Sequence, residues 1–173
     1  QTREQILEQL KVRPAMIAHV ASEIFKSRGH CNFLEVGTAE GLQSITVAKC
    51  VPGSEVFTCD IRDVRHQMFA DLSNLSFFLG NSKNMVSKID SKIDICWIDG
   101  AHDHYSVIND FLSVLPLTDE NTIWLFDDYD QRFGCWHDIN LLMQHFDQTY
   151  AVNFGKTASG NPSVIAIGAG YKK

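Results

Sequence analysis

At 173 residues with 45% hydrophobic content, the chain is long enough for one sizeable core and too short for a second domain of ordinary size. A formal net charge of −6 without a basic face argues against nucleic acid as a partner, and no apolar run approaches the ~20 residues that cross a membrane. With no signal peptide visible, a cytoplasmic protein acting on a small molecule is expected.

In chain order, Thr2 reads as an N-cap with Gln5 at the capping-box position, and the start at Gln1 without an initiator methionine leaves open whether a few residues or a longer N-terminal region are missing. Pro14 is expected to open a second short helix, on which Ile17, Val20, Ile24 and Phe25 share a face. The segment NFLEVGTAEGLQSITVAKC then changes from strand to glycine turn to helix, and VFTCD follows as a strand ending in Asp60, nineteen residues after Gly41. Strands are predicted over 32–36, 56–60, 75–79, 93–98 and 122–126, with helices near 42–50, 62–72, 82–89 and 104–115. The last of these carries Ile108, Phe111, Leu112 and Leu115 at helical spacing. A further helix from Cys135 carries Ile139, Leu142, Met143 and Phe146, and the tail reads as two strands, YAVNF and SVIAIGA, joined by GKTASGN.

Such alternation predicts an α/β fold: a Rossmann-like, doubly wound sheet, mostly parallel with one antiparallel C-terminal strand, and helices on both faces. It forms a single domain over 1–173, with N-terminal helices in 1–28. Five cysteines, Cys31, Cys50, Cys59, Cys96 and Cys135, lack CxxC spacing and are expected to be reduced core thiols. Trp97 and Trp124 are expected in the core, while Trp136 and Arg132 are divided evenly between a pocket wall and helix packing. His104 reads as a cap or surface residue, and Asp110 as either exposed or bonded to a neighbouring loop.

In an open α/β sheet the first glycine turn presents backbone N–H groups to a ligand, and an acid ending the next strand can accept both hydroxyls of a ribose. Here the spacing is GxxxG rather than the GxGxxG of dinucleotide folds, and Glu35 before it would repel a diphosphate while suiting an ammonium and a sulfonium. Glu35, Gly37 and Gly41 thus make an ExGxxxG pattern that resembles the first motif of class I S-adenosylmethionine-dependent methyltransferases. The resemblance implies Glu35 near the methionine amino group, with Gly37, Thr38, Ala39 and Gly41 around the methionine part. It puts Asp60 on the ribose, with Ile61 beside it.

Two later strand ends are unusually polar: ICWIDGAHDHYSVINDF and IWLFDDYD. Adjacent parallel strands would gather Asp99, His102, Asp127 and Asp128 at one rim, where three carboxylates without a basic partner would repel one another and a divalent cation such as Mg²⁺ would relieve them. Asp-Gly and Asp-Asp also serve as turn residues, but two neighbouring strand ends with His102 between them favour a functional rim. The run DGAHDHYSVINDF followed by FDDY is similar to the small-molecule O-methyltransferases related to catechol O-methyltransferase, and more so to the macrocin and cephalosporin-biosynthesis type. Over roughly residues 30–130 that resemblance implies Asp99, Asp127 and Asp128 as metal ligands, His102 with Asp99 in catalysis, and Asp99, Asn81 and Ser82 among the cofactor contacts.

Departures from the catechol type are Gln43, Lys83 and the lack of a lysine beside His102, which disfavour a catechol. A hydroxyl of a phenol, a sugar or a lipid-linked glycan remains as acceptor. A metal-independent methyltransferase of the same fold and a non-catalytic S-adenosylmethionine-binding domain stay as alternatives, and a homo-oligomer is compatible with the short N-terminal extension.

Overall fold

The computed structural model describes residues 3–156 and 160–172, with side chains from Val12 onward, so Thr2 and the Gln5 side chain of the capping pair and the centre of the GKTASGN loop lie outside what is described. Its elements are α1 (Arg3–Arg28), β1 (Asn32–Val36), α2 (Leu42–Cys50), β2 (Glu55–Asp60), β3 (Leu75–Leu79), α3 (Ser82–Val86) and β4 (Ile95–Ile98). There follow α4 (Ser106–Val114), β5 (Ile123–Phe126), α5 (Cys135–Met143), β6 (Phe146–Lys156) and β7 (Pro162–Tyr171).

The seven strands form one sheet in the order β3-β2-β1-β4-β5-β7-β6. The first five are parallel, β7 runs antiparallel to β5, and β6 returns antiparallel to β7. β4 reads ICWI with all four side chains buried, the unbroken apolar run of a strand covered on both faces. Alternate residues supply two cores. Phe33, Ile95, Trp97 and Leu125 pack toward Ile17, Ala21 and Ile45 of α1 and α2. Leu34, Cys96, Ile98, Trp124 and Phe126 meet Phe111 of α4 and Ile139 of α5. Phe111 lies 4.4 Å from the Trp124 ring and edge-on to Phe146 and Tyr171, so one aromatic cluster joins α4 to both C-terminal strands.

Four expectations are corrected. The N-terminal residues form one helix, with Pro14 inside it. Proline there forfeits one N–H bond, yet the helix runs on through it, and Ile17, Ala18, Ala21 and Ile24 beyond it are buried along one face. The helix expected over 62–72 shrinks to a single 3₁₀ turn, Gln67–Asp71, because Val64 is the one aliphatic residue between Arg62 and Gln67 and is itself exposed. Phe146 belongs to β6 rather than to the preceding helix, and its ring fills the space that a side chain at Gly168 would need. Cys50 is exposed, at the end of α2, whereas the other four cysteines are buried free thiols, with burial pushing Cys31 and Cys59 up to about 12. Trp97 and Trp124 are in the core as expected. Among the described residues no helix is long and apolar enough to cross a membrane.

Candidate active site

The strand order reverses between β1 and β4, and at the carboxyl ends of those strands lies a cavity of about 590 Å³. Its floor is the β1–α2 turn. Gly37 has φ +96°, and a Cβ there would fall 1.9 Å from the Asp99 carbonyl oxygen, so the turn can approach β4 only without a side chain. Gly41 has φ +84° and sits against the Phe69 ring. Between them Ala39 adopts φ +46°, and its N–H donates to Asp60 Oδ2 at 2.9 Å. The other Asp60 oxygen accepts from Arg62 N–H, so this carboxylate holds the turn while also lining the cavity. Ile61 lines it as well, exposed beyond the end of β2.

Glu35 and Thr38 do not line the cavity, and neither does Gly41 at the far end of the turn. The Glu35 side chain is buried and accepts from Thr58 Oγ1 at 2.6 Å and from Ser44 Oγ, and burial pushes its carboxyl up to about 7. Thr38 and Thr58 share a 2.6 Å hydroxyl contact, which continues this buried network to the turn itself.

The opposite wall comes from Asn81 and Ser82 after β3 and from Ser106, Asn109 and Asp110 on α4. Asn81 caps α3 by accepting from Asn84 N–H. Ser82 Oγ donates to Asp110 Oδ1 at 2.6 Å, and burial raises the Asp110 carboxyl despite that bond. The sequence left Asp110 undecided. Its signal was the spacing of Ser106, Asn109 and Asp110, three polar residues at i, i+3 and i+4 that share one helix face.

Asp99, His102, Asp127 and Asp128 form the rim where β4 and β5 end. One ligand atom each of Asp99, His102 and Asp128 lie within 4.8 Å of one another. His102 Nε2 is 2.7 Å from Asp128 Oδ2, and this bond raises the imidazole above its ordinary value. Burial, followed by the charges of Asp127 and Asp128, pushes Asp99 well up. Asp127 is buried, with burial raising it too, and its Oδ2 is held at 2.5 Å by Arg13 Nη1 from α1. Its Oδ1 is buried without a hydrogen-bond partner.

Arg13 is the basic partner that the sequence did not reveal, because it lies 114 positions from Asp127 on a helix with no motif of its own. Strain gathers here as well. The three non-glycine residues with positive φ among those described are Ala39 in the turn, Tyr105 after β4 and Asp128 after β5. Trp136 faces a different cavity, about 790 Å³ between α5 and β6, with Tyr129, Asn140 and Tyr150. Arg132 bonds Asp130 and Asn161, and His104 is exposed with its ring stacked on His137.

A family profile described as "Methyltransferase domain" matches residues 34–129, from the middle of β1 to just past Asp128. The chain belongs to this methyltransferase domain family. No curated protein sequence matches it significantly. Among solved structures, an O-methyltransferase from Bacillus cereus in complex with S-adenosylhomocysteine is similar at 16% identity and TM-score 0.68, covering 98% of this chain and 92% of that one. An N-methyltransferase from Bradyrhizobium japonicum, also bound to S-adenosylhomocysteine, gives 12% identity and TM-score 0.69 over 94% and 87%. An rRNA methylase from Streptococcus thermophilus gives 11% and 0.65 over 91% and 93%. At these identities the likeness is one of fold, and the methyltransferase domain has the class I architecture expected from its ExGxxxG turn. Relatives that methylate such different acceptors leave the substrate to be argued from the site.

Proposed function

We propose that this methyltransferase domain transfers the methyl group of S-adenosylmethionine to a hydroxyl of a small molecule, with His102 as the base. The observation that carries this reading is the meeting of two features at one strand-order reversal: a glycine-floored cavity bordered by Asp60, and a histidine oriented by a carboxylate on its far side. A volume near 590 Å³ lies within the usual ~300–1,000 Å³ of cofactor pockets. The solved relatives that hold S-adenosylhomocysteine support the choice of ligand.

Transfer is a displacement in which the acceptor oxygen forms a bond to the methyl carbon as the carbon–sulfur bond breaks, and the electron pair stays on sulfur. The hydroxyl proton must leave. With Nε2–H given to Asp128, neutral His102 keeps Nδ1 as its accepting nitrogen, and the imidazolium formed there is stabilised by the same carboxylate. Gly37 and the Asp60-held turn fix the cofactor side, so that much of the acceleration comes from alignment of the two reactants.

The rim fits a divalent cation such as Mg²⁺: one ligand atom each of Asp99, His102 and Asp128 lie within 4.8 Å of one another, a span that metal–oxygen bonds of about 2.0–2.6 Å can bridge, and next to Asp128 in the chain Asp127 Oδ1 is a buried acceptor without a donor. Asp99, Asp127 and Asp128 would hold such an ion, which would lower the pKa of the acceptor hydroxyl. A second reading, transfer without metal, is favoured by the Arg13 guanidinium, which already neutralises one of the three carboxylates.

Incubation with methyl-labelled S-adenosylmethionine and a panel of phenols and sugars tests the activity, and chelation separates the two readings. S-adenosylhomocysteine should raise the melting temperature and NAD should not, since a ligand at about 100 times its Kd adds ~2.7 kcal/mol. Label that never leaves the cofactor across the panel would leave a binding domain, and no thermal shift would remove the cofactor assignment.

A further inference from the structure

The acidic rim is not evenly partnered. Asp128 is paired with His102 and Asp127 with Arg13, while Asp99 has no ion pair among the described residues. The Arg13 contact is built rather than incidental. Its side chain is about one-fifth exposed against 6% for Asp127, its guanidinium carbon lies 5.7 Å from the centroid of the buried Trp97 ring, and the next residue, Pro14, is buried. Trp97 and Asp127 come from adjacent strands, Trp97 two residues before Asp99 and Asp127 just past Phe126, the partner of Ile98 in the ladder. Arg13 therefore joins α1 to the two strand ends that carry the rim. It also fills the role that a metal would have at Asp127, that of a positive charge beside a buried carboxylate.

Resting on the metal-assisted reading above, we propose that Arg13 is a positioning residue that competes with a divalent cation for Asp127, so that metal occupancy of the rim and docking of α1 are coupled through that one carboxylate. Linkage makes the effect reciprocal. An ion that recruits Asp127 loosens Arg13 and with it the rim end of α1, and a docked α1 lowers the affinity for the ion. The chain thus sets its own metal requirement from a helix outside the strand-end loops that carry the acids.

The test is Mn²⁺ binding to the full chain, followed by electron paramagnetic resonance, for the wild type, Arg13→Gln, Arg13→Lys, Asp127→Asn and the Arg13→Gln/Asp127→Asn double variant. Arg13→Gln should bind Mn²⁺ about tenfold more tightly or better, within the usual range of coupling between sites. Arg13→Lys keeps the charge and should stay near wild type. Asp127→Asn removes the shared carboxylate and should bind Mn²⁺ more weakly than the wild type, and in the Arg13→Gln background it should abolish the gain.

Because Arg13→Gln leaves a buried carboxylate uncompensated, its melting temperature is read with and without Mn²⁺, and the ion should raise it by more than it raises the wild type. Hydrogen exchange in residues 12–20 of the wild type should speed up when Mn²⁺ is added. Equal affinities for wild type and Arg13→Gln would overturn the role of Arg13 while leaving the metal reading intact. Absence of Mn²⁺ binding by every variant would overturn both.

Discussion

The two halves of the site are made in different ways. On the β1–β2 side the turn is shaped by main-chain contacts: Gly37 against the Asp99 carbonyl, Gly37 and Thr38 N–H on the Cys59 carbonyl, and Ala39 N–H on Asp60. On the β4–β5 side the rim is shaped by side chains that carry charge and come from distant parts of the chain: His102, Asp128 and Arg13. A floor made of backbone accepts almost no substitution at its glycines, and its pH dependence comes from the buried Glu35, which is linked to the turn through Thr58 and Thr38. The chemistry of the rim should follow every change of charge, and where a charge is buried, as at Asp127, loss of its partner should cost stability as well.

The largest effect that this contrast predicts is at the floor. Gly37→Ala puts a methyl group 1.9 Å from a backbone oxygen at φ +96°, and nothing nearby is a flexible side-chain end that could yield. Unfolding in denaturant should show a loss of about 4 kcal/mol or more, and S-adenosylhomocysteine binding should disappear. A well-folded Gly37→Ala that binds the cofactor would end the argument for a backbone-built floor.

At the rim, His102→Ala should lower turnover roughly 10²–10⁴-fold while cofactor affinity and melting temperature barely move. Turnover in the unaltered protein should rise with pH, with a midpoint above the ordinary histidine value, because the bond to Asp128 favours the protonated ring. A midpoint below that value, or parallel losses of binding and turnover, would count against His102 as base.

Glu35, buried in the network behind the turn, sharpens the comparison, because its carboxyl is both buried and shifted. Its folded pKa of about 7 lies above the ordinary 4.5, so the folded state binds a proton that the unfolded chain has released in between. The sign is therefore that its contribution to stability is complete below about pH 4.5 and falls as pH rises through 7, by about 3 kcal/mol in all. Stability curves from pH 4 to 8 should be flatter in Glu35→Gln than in the wild type, and identical slopes would refute the shift. The smallest effect is expected for Ser82→Ala, where loss of the bond to Asp110 should cost about 1 kcal/mol, measured by thermal unfolding, with a few-fold weaker hold on the cofactor.

The same division governs how much could be seen before the structure. β1 and β3 begin and end where their apolar patterns do, and the glycine turn and Asp60 are visible because they are encoded within a few neighbouring residues. What failed was whatever depended on distant partners. Pro14 looked like a helix start because proline is local information, whereas the packing of Ile17 and Ala21 that carries α1 through it is not. The 62–72 segment looked helical by its place in the alternation, but lacked an apolar face to dock. Phe146 had helical spacing from Leu142 and was claimed instead by the space over Gly168. In the site the acids were legible as types at strand ends, while Arg13 and the burial of Glu35 away from the cavity were not, since neither leaves a trace in residue spacing.

Asp128 sits at φ +52°, a backbone shape that, besides aspartate, glycine and asparagine adopt readily and β-branched or bulky residues do not. Both of the readily accepted replacements are uncharged. Over evolutionary drift, this corner can therefore lose its negative charge without losing its shape, and the gentlest changes at that position are the ones that silence it. Descendants of such a chain would be expected to diversify by shedding rim chemistry on an unaltered scaffold far more easily than by rebuilding the glycine floor.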